Sequence, residues 1–136
     1  MNSDASAIIL EYATRPPNKG IILNPTFSYH EKNRSCGDSL TVFVTLEQGI
    51  ITDFAFDGDT AIVTTAAAAI FGESILGLKM EEVLTYTYQE ISEMIGGAIS
   101  PKRQMAACLG LLATRNGIHT YLQDGIKDDF SDVLPG

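Results

Sequence analysis

Two strand-like segments separated by a short turn constrain this chain most strongly. The segment from Leu40 to Leu46 (LTVFVTL) alternates in character and is rich in β-branched side chains. The segment from Ile50 to Phe56 (IITDFAF) follows directly after Glu47-Gln48-Gly49. Two such segments joined by a turn that contains glycine predict a β-hairpin.

Helical patterns dominate the rest of the chain. Because strands come early and helices late, we predict an α+β fold, with a small antiparallel sheet packed against several helices. Residues 21 to 37 are predicted to be rich in loop, with Thr26 to His30 as an alternative short edge strand. The predicted helices cover Asp4 to about Thr14, Ala61 to Leu76, Met80 to Leu84, Tyr88 to Met94 and about Lys102 to Leu122.

The length and charge of the chain narrow its class. Its 136 residues suit one domain, which we expect to span residues 1–136. Its 9 basic residues against 17 acidic ones give a net charge of −8, which argues against nucleic-acid binding. From about residue 123 the chain is acidic, and we expect this tail to be solvated or frayed.

The sequence also predicts a compartment. The apolar run from Ala7 to Leu10 is short and follows no basic residue, so a secretory signal is not expected. The longest mostly apolar stretch, Ala61 to Phe71, is shorter than the roughly 20 residues of a membrane span, so no membrane association is expected. We therefore expect a cytoplasmic protein whose two cysteines stay reduced.

The strongest chemical candidate is Cys36-Gly37-Asp38, at the junction of the predicted loop and the hairpin. A thiol and a carboxylate two residues apart can converge on one ion if the backbone turns at Gly37. Thiolate ligands suit zinc or iron, and a carboxylate can complete the shell. The alternative is that Cys36 is a small buried residue and Asp38 a turn residue.

Other candidates are weaker when taken alone. Asp59 lies in a strand-to-helix turn, where it could cap the following helix or serve as a second carboxylate ligand. Cys108 lies in the apolar run AACLGLLA and is expected in the core. His30 shares the loop with Cys36, but an isolated histidine is more often structural or solvated than a metal ligand.

Several motifs in order resemble one family. The turn Pro16-Pro17-Asn18-Lys19-Gly20, the segment Ser35-Cys36-Gly37-Asp38 and the turn Phe56-Asp57-Gly58-Asp59 are similar to those of the U-type iron–sulfur cluster assembly scaffolds. Gly77 to Val83 and the lead-in Pro101 to Arg103 fit the same order. The resemblance covers Ile9 to Leu122, and the family includes the amino-terminal domain of the nitrogen-fixation scaffold.

The resemblance implies a ligand set that this chain does not complete. The family uses three cysteines and an aspartate, of which Cys36 and Asp38 match. The second cysteine falls on Thr60 if one residue is deleted from the turn, and otherwise on Gly58 or Ala61. The third falls on Ala106.

The resemblance implies a divergent cluster assembly scaffold that could bind iron or zinc through Cys36, Asp38 and Asp59. Because two thiols are missing, we expect a cluster or zinc to be weakly bound or absent. The alternatives are a partner-binding protein without cluster chemistry, or a sulfur carrier in which Cys36 accepts a persulfide. An enzyme is not the favoured class. The implied partner is a cysteine desulfurase or another assembly protein, and a homo-oligomer could pool two Cys36 thiols.

Overall fold

The computed structural model describes residues 3–135, and their side chains from Ala5 onward. These residues form an α+β domain in which one three-stranded sheet packs against helices. In chain order the elements are α1 (Ser3–Thr14), β1 (Phe27–Asn33), β2 (Asp38–Glu47), β3 (Ile50–Asp59), α2 (Ile62–Ser74), α3 (Met80–Val83), α4 (Tyr88–Met94), α5 (Pro101–Leu122) and α6 (Phe130–Val133).

The sheet is antiparallel throughout, in the order β1-β2-β3. The predicted hairpin is confirmed as β2 and β3, joined by Gln48 and Gly49, both of which have positive φ. Period-two burial along β2 places Leu40, Val42 and Val44 in the core, fully buried. The alternating pattern of the sequence therefore marks the face that packs on the helices.

The predicted loop from 21 to 37 is partly wrong, because β1 occupies Phe27–Asn33. The alternative prediction of an edge strand from Thr26 to His30 was correct, but the observed strand extends further, to Asn33. Tyr29 pairs with Val42, and Asn33 pairs with Asp38 at the end of the hairpin. Alternate residues of β1 are exposed, as is typical of an edge strand with one solvated face. This solvation weakened its hydrophobic pattern in the sequence.

The helices follow the predicted bounds closely. The alanine tract of α2 from Ala66 to Ala69 is buried against α5. A Cβ added at Gly110 of α5 would lie 3.1 Å from the Ala68 Cβ, so these two helices approach closely through small residues. In residues 3–135, no helix combines the length and apolar character needed to cross a bilayer.

The acidic end of the chain departs from the prediction of a solvated or frayed tail. It folds back onto α5, where Asp128 is buried and Val133 of α6 is only 1% exposed. Asp129 begins α6 through a capping box with Asp132, which satisfies the first amides of this short helix. Charge alone suggested solvation, but Asp128 pairs with Arg115 on α5, a contact that sequence spacing does not predict.

Candidate functional site

Cys36 lies in a tight turn that joins β1 to β2. The carbonyl of Asn33 accepts hydrogen bonds from the amides of Cys36 and Gly37, at 3.4 and 2.9 Å. Gly37 has a φ of +77°, a conformation that favours glycine. The backbone therefore turns at Gly37, as predicted, and the turn leaves the Cys36 thiol exposed to solvent.

Two polar side chains contact the Cys36 sulfur. Asn33 donates from Nδ2 to Sγ at 2.9 Å, and Sγ donates to Asp38 Oδ2 at 3.3 Å. Sequence analysis found Cys36 and Asp38 but missed Asn33. The signal available in the sequence was its place three residues before Cys36; the structure adds that Asn33 of β1 pairs with Asp38 of β2.

Asp38 is buried, and both of its oxygens have partners in the protein. Oδ1 accepts from the Ala61 amide at 2.8 Å, and Oδ2 accepts from the Thr64 hydroxyl at 2.5 Å as well as from Cys36. Ala61 is the N-cap residue of α2 and has no side-chain cap of its own. In a capping box, the side chain of the third helical residue accepts a hydrogen bond from the amide of the N-cap residue. Here the Asp38 carboxylate accepts that hydrogen bond instead.

The thiol of Cys36 is shifted toward its protonated form. Partial desolvation is the largest cause that raises its pKa, and the nearby carboxylate of Asp38 adds to the increase. A backbone hydrogen bond and the positive charge of Lys102 act in the opposite direction. Lys102 stands in the first turn of α5.

The other family positions carry no strong metal ligand. The Thr60 hydroxyl lies 2.7 Å from the hydroxyl of Thr65 in α2. The side chain of Ala106 has no atom that can bind a metal. Gly58 is excluded as a thiol position, since a Cβ there would lie 2.6 Å from Leu40 Cα. Asp59 is exposed at the end of β3, and the structure does not bring it into a ligand cluster with Cys36 and Asp38.

The remaining candidates lie apart from the turn. Cys108 is fully buried in α5, and burial raises the pKa of its thiol to about 12. This placement agrees with the expected core position. His30 is exposed on β1, where its Nδ1 lies 3.0 Å from the Thr41 hydroxyl of β2.

Zinc and iron–sulfur clusters each require more ligands than Cys36 and Asp38 provide. Protein zinc sites use three or four side-chain ligands, and a [2Fe–2S] cluster takes four thiolates or close substitutes. In the part of the chain that the structure describes, no three His, Cys, Asp or Glu side chains converge in this way. The residues present in one chain therefore do not fit either group, because Cys36 is one thiol and Asp38 is already engaged.

Most of the chain matches the model of a known protein family. The family model described as NifU-like N terminal domain matches residues 5–128. The chain belongs to this NifU-like family. The resemblance of the sequence to the U-type scaffolds is thereby confirmed.

Curated relatives of this NifU-like chain carry two kinds of name. The iron-sulfur cluster assembly scaffold protein IscU of Thermotoga maritima is 32% identical over 59% of the chain and 56% of its own length. The zinc-dependent sulfurtransferase SufU of Bacillus subtilis is 28% identical over 66% of the chain and 60% of its own length. The chain thus spans less than two thirds of the length of either protein.

A solved structure supports the fold independently. The putative iron-sulfur cluster assembly scaffold protein for the SUF system from Fervidobacterium islandicum superposes with a TM-score of 0.73 at 20% identity. The match covers 82% of this NifU-like chain and 93% of that structure. At this identity the likeness shows the fold alone.

Proposed function

We propose that this chain takes part in iron–sulfur cluster assembly as a sulfur-accepting member of the scaffold family, with Cys36 as the acceptor. The observation that carries the proposal is the accessible Cys36 sulfur, held between the Asn33 amide and the Asp38 carboxylate. The SufU relative is named as a sulfurtransferase, which supports sulfur transfer as the chemistry.

The proposed step is a transfer of one sulfur atom between thiols. Cys36 Sγ attacks the terminal sulfur of a donor persulfide, forms a new S–S bond, and the donor S–S bond breaks. The donor leaves with the bonding electron pair and takes up the proton that Cys36 gives up. A thiol and a persulfide are therefore exchanged for a persulfide and a thiol, and no external oxidant is needed.

The residues around the sulfur have separate roles in this step. The Asn33 amide donates to Sγ and would stabilise negative charge that develops on sulfur. Lys102 supplies a positive charge that acts on the thiol and favours its ionised form. Asp38 orients the thiol by accepting a hydrogen bond from Cys36 Sγ. The hydrogen bond from the Ala61 amide holds the Asp38 carboxylate in place.

The proposed sulfur transfer does not require that the chain bind a metal or a cluster. The sulfurtransferase relative is named as zinc-dependent, but the residues that the structure describes provide no complete set of zinc ligands. We propose that one chain alone holds neither zinc nor a cluster stably. The donor would be a cysteine desulfurase or another persulfide-bearing assembly protein, and the reaction would take place in the cytoplasm.

Incubation with a persulfide donor, followed by mass spectrometry of tryptic peptides, tests the proposal. A desulfurase with its cysteine substrate, or a low-molecular-weight persulfide, should add the mass of one sulfur atom to the Cys36 peptide. Cys108→Ala should still accept sulfur, whereas Cys36→Ala should not. Binding of the desulfurase without any persulfide on Cys36 would favour the partner-binding alternative and contradict the proposal.

Anaerobic reconstitution with iron and sulfide separates this proposal from a scaffold that holds a cluster. We expect iron and sulfide well below one cluster per chain, with little visible absorption. Stoichiometric iron and sulfide that are lost in Cys36→Ala would contradict this expectation. A dimeric mass in that case would show that two chains pool their Cys36 thiols.

A further inference from the structure

A groove of about 450 Å³ opens along the outer edge of β3, the edge that does not pair with β2. We call it the β3-edge groove. It is lined by residues 53–55 of β3, by residues 17–22 of the loop that follows α1, and by Glu73 and Leu76 at the end of α2. None of these residues belongs to the Cys36 turn.

The groove exists because two segments cover this edge of β3 only in part. On one side, the Gly20 amide donates to the Phe56 carbonyl at 2.8 Å, and the Phe56 amide donates to the Asn18 carbonyl at 3.1 Å. Nearer the start of the strand, Ile51 exchanges two hydrogen bonds with residues 77 and 78, at 2.8 and 2.9 Å. The stretch of edge between these two covers is left open.

Phe54 lies in this open stretch. The N–H and C=O of alternate residues of a strand point to the same edge, so the backbone groups of Phe54 face the same way as those of Phe56. The Phe54 amide donates to Oδ1 of its neighbour Asp53 at 2.9 Å. This contact occupies the amide and leaves the Phe54 carbonyl as the backbone group that faces the open edge.

The side chains at the groove are also rich in hydrogen-bond acceptors. Asp53 and Glu73 are exposed, and neither makes an ion pair within the described residues. Asn18 Nδ2 donates to the Ala69 carbonyl at 3.0 Å, but Asn18 Oδ1 is buried with no partner, the only such side-chain atom in residues 5–135. Lys19 is the one cation of the lining, and it is exposed. A ligand of this groove therefore has to bring donors.

Large aliphatic side chains flank these acceptors. Ile21 of the loop is 61% exposed and Leu76 is 47% exposed, and Pro17 adds further apolar surface to the lining. Covering aliphatic side chains that are this exposed stabilises a complex by removing their surface from water. Apolar walls around a set of acceptors fit a ligand that combines a cation with aliphatic groups.

We propose that the β3-edge groove binds an extended segment of a partner protein in which an arginine lies between aliphatic residues. A guanidinium has five N–H donors and a permanent charge, which suits the carboxylates of Asp53 and Glu73. A backbone N–H of the segment can donate to the Phe54 carbonyl, as when a strand adds to the edge of a sheet. The net charge of −8 attracts a cationic segment, and Lys19 can keep its ammonium group in water.

The groove and the Cys36 turn lie at different ends of β3. Asp59, which pairs with Ser39 beside Asp38, ends the strand, and Phe54 stands five residues before it. Five residues of a strand span about 17 Å. A segment bound in the groove therefore leaves Cys36 open, and the proposal does not depend on sulfur transfer.

Titration of a synthetic peptide into the nitrogen-15-labelled full-length chain tests the proposal. The probe is acetyl-Val-Leu-Arg-Leu-Val-amide, and in its matched control citrulline, which has the shape of arginine without the charge, replaces the arginine. The arginine peptide should shift the amide signals of Gly20, Phe54 and Leu76 saturably. The citrulline peptide should bind at least about tenfold more weakly, because its hydrogen bonds to carboxylates lose their charge assistance.

Matched substitutions locate the site. Asp53→Asn/Glu73→Gln keeps the side-chain size and the acceptor oxygens but removes both charges, so it should weaken binding of the arginine peptide by at least about tenfold. Asp57→Asn removes an exposed carboxylate of β3 outside the groove and should bind like the wild type. Cys36→Ala should also bind like the wild type, which separates this proposal from sulfur transfer.

Four results would overturn the proposal. They are the absence of saturable shifts at the groove, equal binding of the arginine and citrulline peptides, equal binding by Asp53→Asn/Glu73→Gln and Asp57→Asn, and shifts confined to the Cys36 turn. Agmatine, a free guanidine, should bind far more weakly than the peptide because it covers neither Ile21 nor Leu76. Equal affinity for agmatine would show a small-molecule site and contradict a partner segment.

Discussion

Asp38 Oδ1 accepts a hydrogen bond from the Ala61 amide at 2.8 Å, which ties the start of β2 to the start of α2. The same carboxylate accepts from the Cys36 thiol and from Thr64. An aspartate that the family resemblance assigns to a metal is therefore, in this chain, a structural link between a hairpin and a helix. Cys36 is the exposed thiol of this site.

The link predicts that Asp38 contributes to stability. Asp38→Ala should lower the free energy of unfolding by about 1–3 kcal/mol, because it leaves the Ala61 amide and the buried Thr64 hydroxyl without their acceptor. Urea denaturation followed by circular dichroism measures the loss. Asp59→Ala removes an exposed carboxylate nearby and should change stability by no more than about 0.5 kcal/mol. Equal effects of the two substitutions would refute the structural role.

The two cysteines should differ strongly in reactivity. Iodoacetamide at about pH 8 should alkylate Cys36 in the native protein and leave Cys108 unmodified, because the Cys108 thiol is fully buried with a pKa of about 12. Four pH units below that pKa, roughly one thiol in ten thousand is ionised. Peptide mapping after timed labelling measures both rates.

Unfolding supplies the control for this comparison. In urea the two cysteines should label at similar rates, since burial no longer separates them. If Cys108 labelled faster than Cys36 in the native protein, the assignment of Cys36 as the reactive thiol would be wrong.

Restoring the family thiols should create a metal site. In Thr60→Cys/Ala106→Cys, two cysteines would stand at positions that the resemblance assigns to them, Thr60 being the one that follows if one residue of the turn is deleted. Zinc prefers such a set of thiolates, so this variant should bind about one zinc ion per chain in competition with a chromophoric chelator. The matched control, Thr60→Ser/Ala106→Ser, should bind no more zinc than the wild type. Equal zinc binding by both variants would refute the assigned positions.

Gly72 of α2 should resist substitution. A Cβ there would collide with the ring of buried Phe54 and lie 2.6 Å from Asn18 Nδ2. Gly72→Ala should therefore cost about 1–3 kcal/mol through overpacking, even though alanine favours a helix by about 1 kcal/mol. At Gly110 the nearest atom to an added Cβ is the Ala68 Cβ at 3.1 Å, so Gly110→Ala should cost less. Thermal unfolding of the two variants checks this order, and a Gly72→Ala protein as stable as the wild type would contradict it.

Much of the fold could be predicted from local patterns. The alternation from Leu40 to Leu46 produced β2, and the segment from Tyr88 to Met94 was predicted with the bounds that α4 has. These elements carry their own periodicity and turn residues. β1 was harder to predict, because half of an edge strand faces water and its pattern resembles that of a loop.

The candidate site was predictable only in part. Cys36, Asp38 and Gly37 stand together in the sequence, and a family resemblance drew attention to them. Asn33 was missed because asparagine is common in turns, and its hydrogen bond to sulfur follows from the path of the chain. The predicted cluster of Cys36, Asp38 and Asp59 as metal ligands stays a prediction.

The sequence by itself determined the α+β order of elements, the single thiol at the family's first cysteine position and the loss of the other two. Only the tertiary structure decided what Asp38 and the acidic tail do. Both depend on contacts between residues far apart in the chain, Asp38 with Ala61 and Asp128 with Arg115. An aspartate looks the same in the sequence whether its carboxylate is solvated, bound to an ion or buried against a partner. The fold selects among these states by removing water from the carboxylate and supplying the donor.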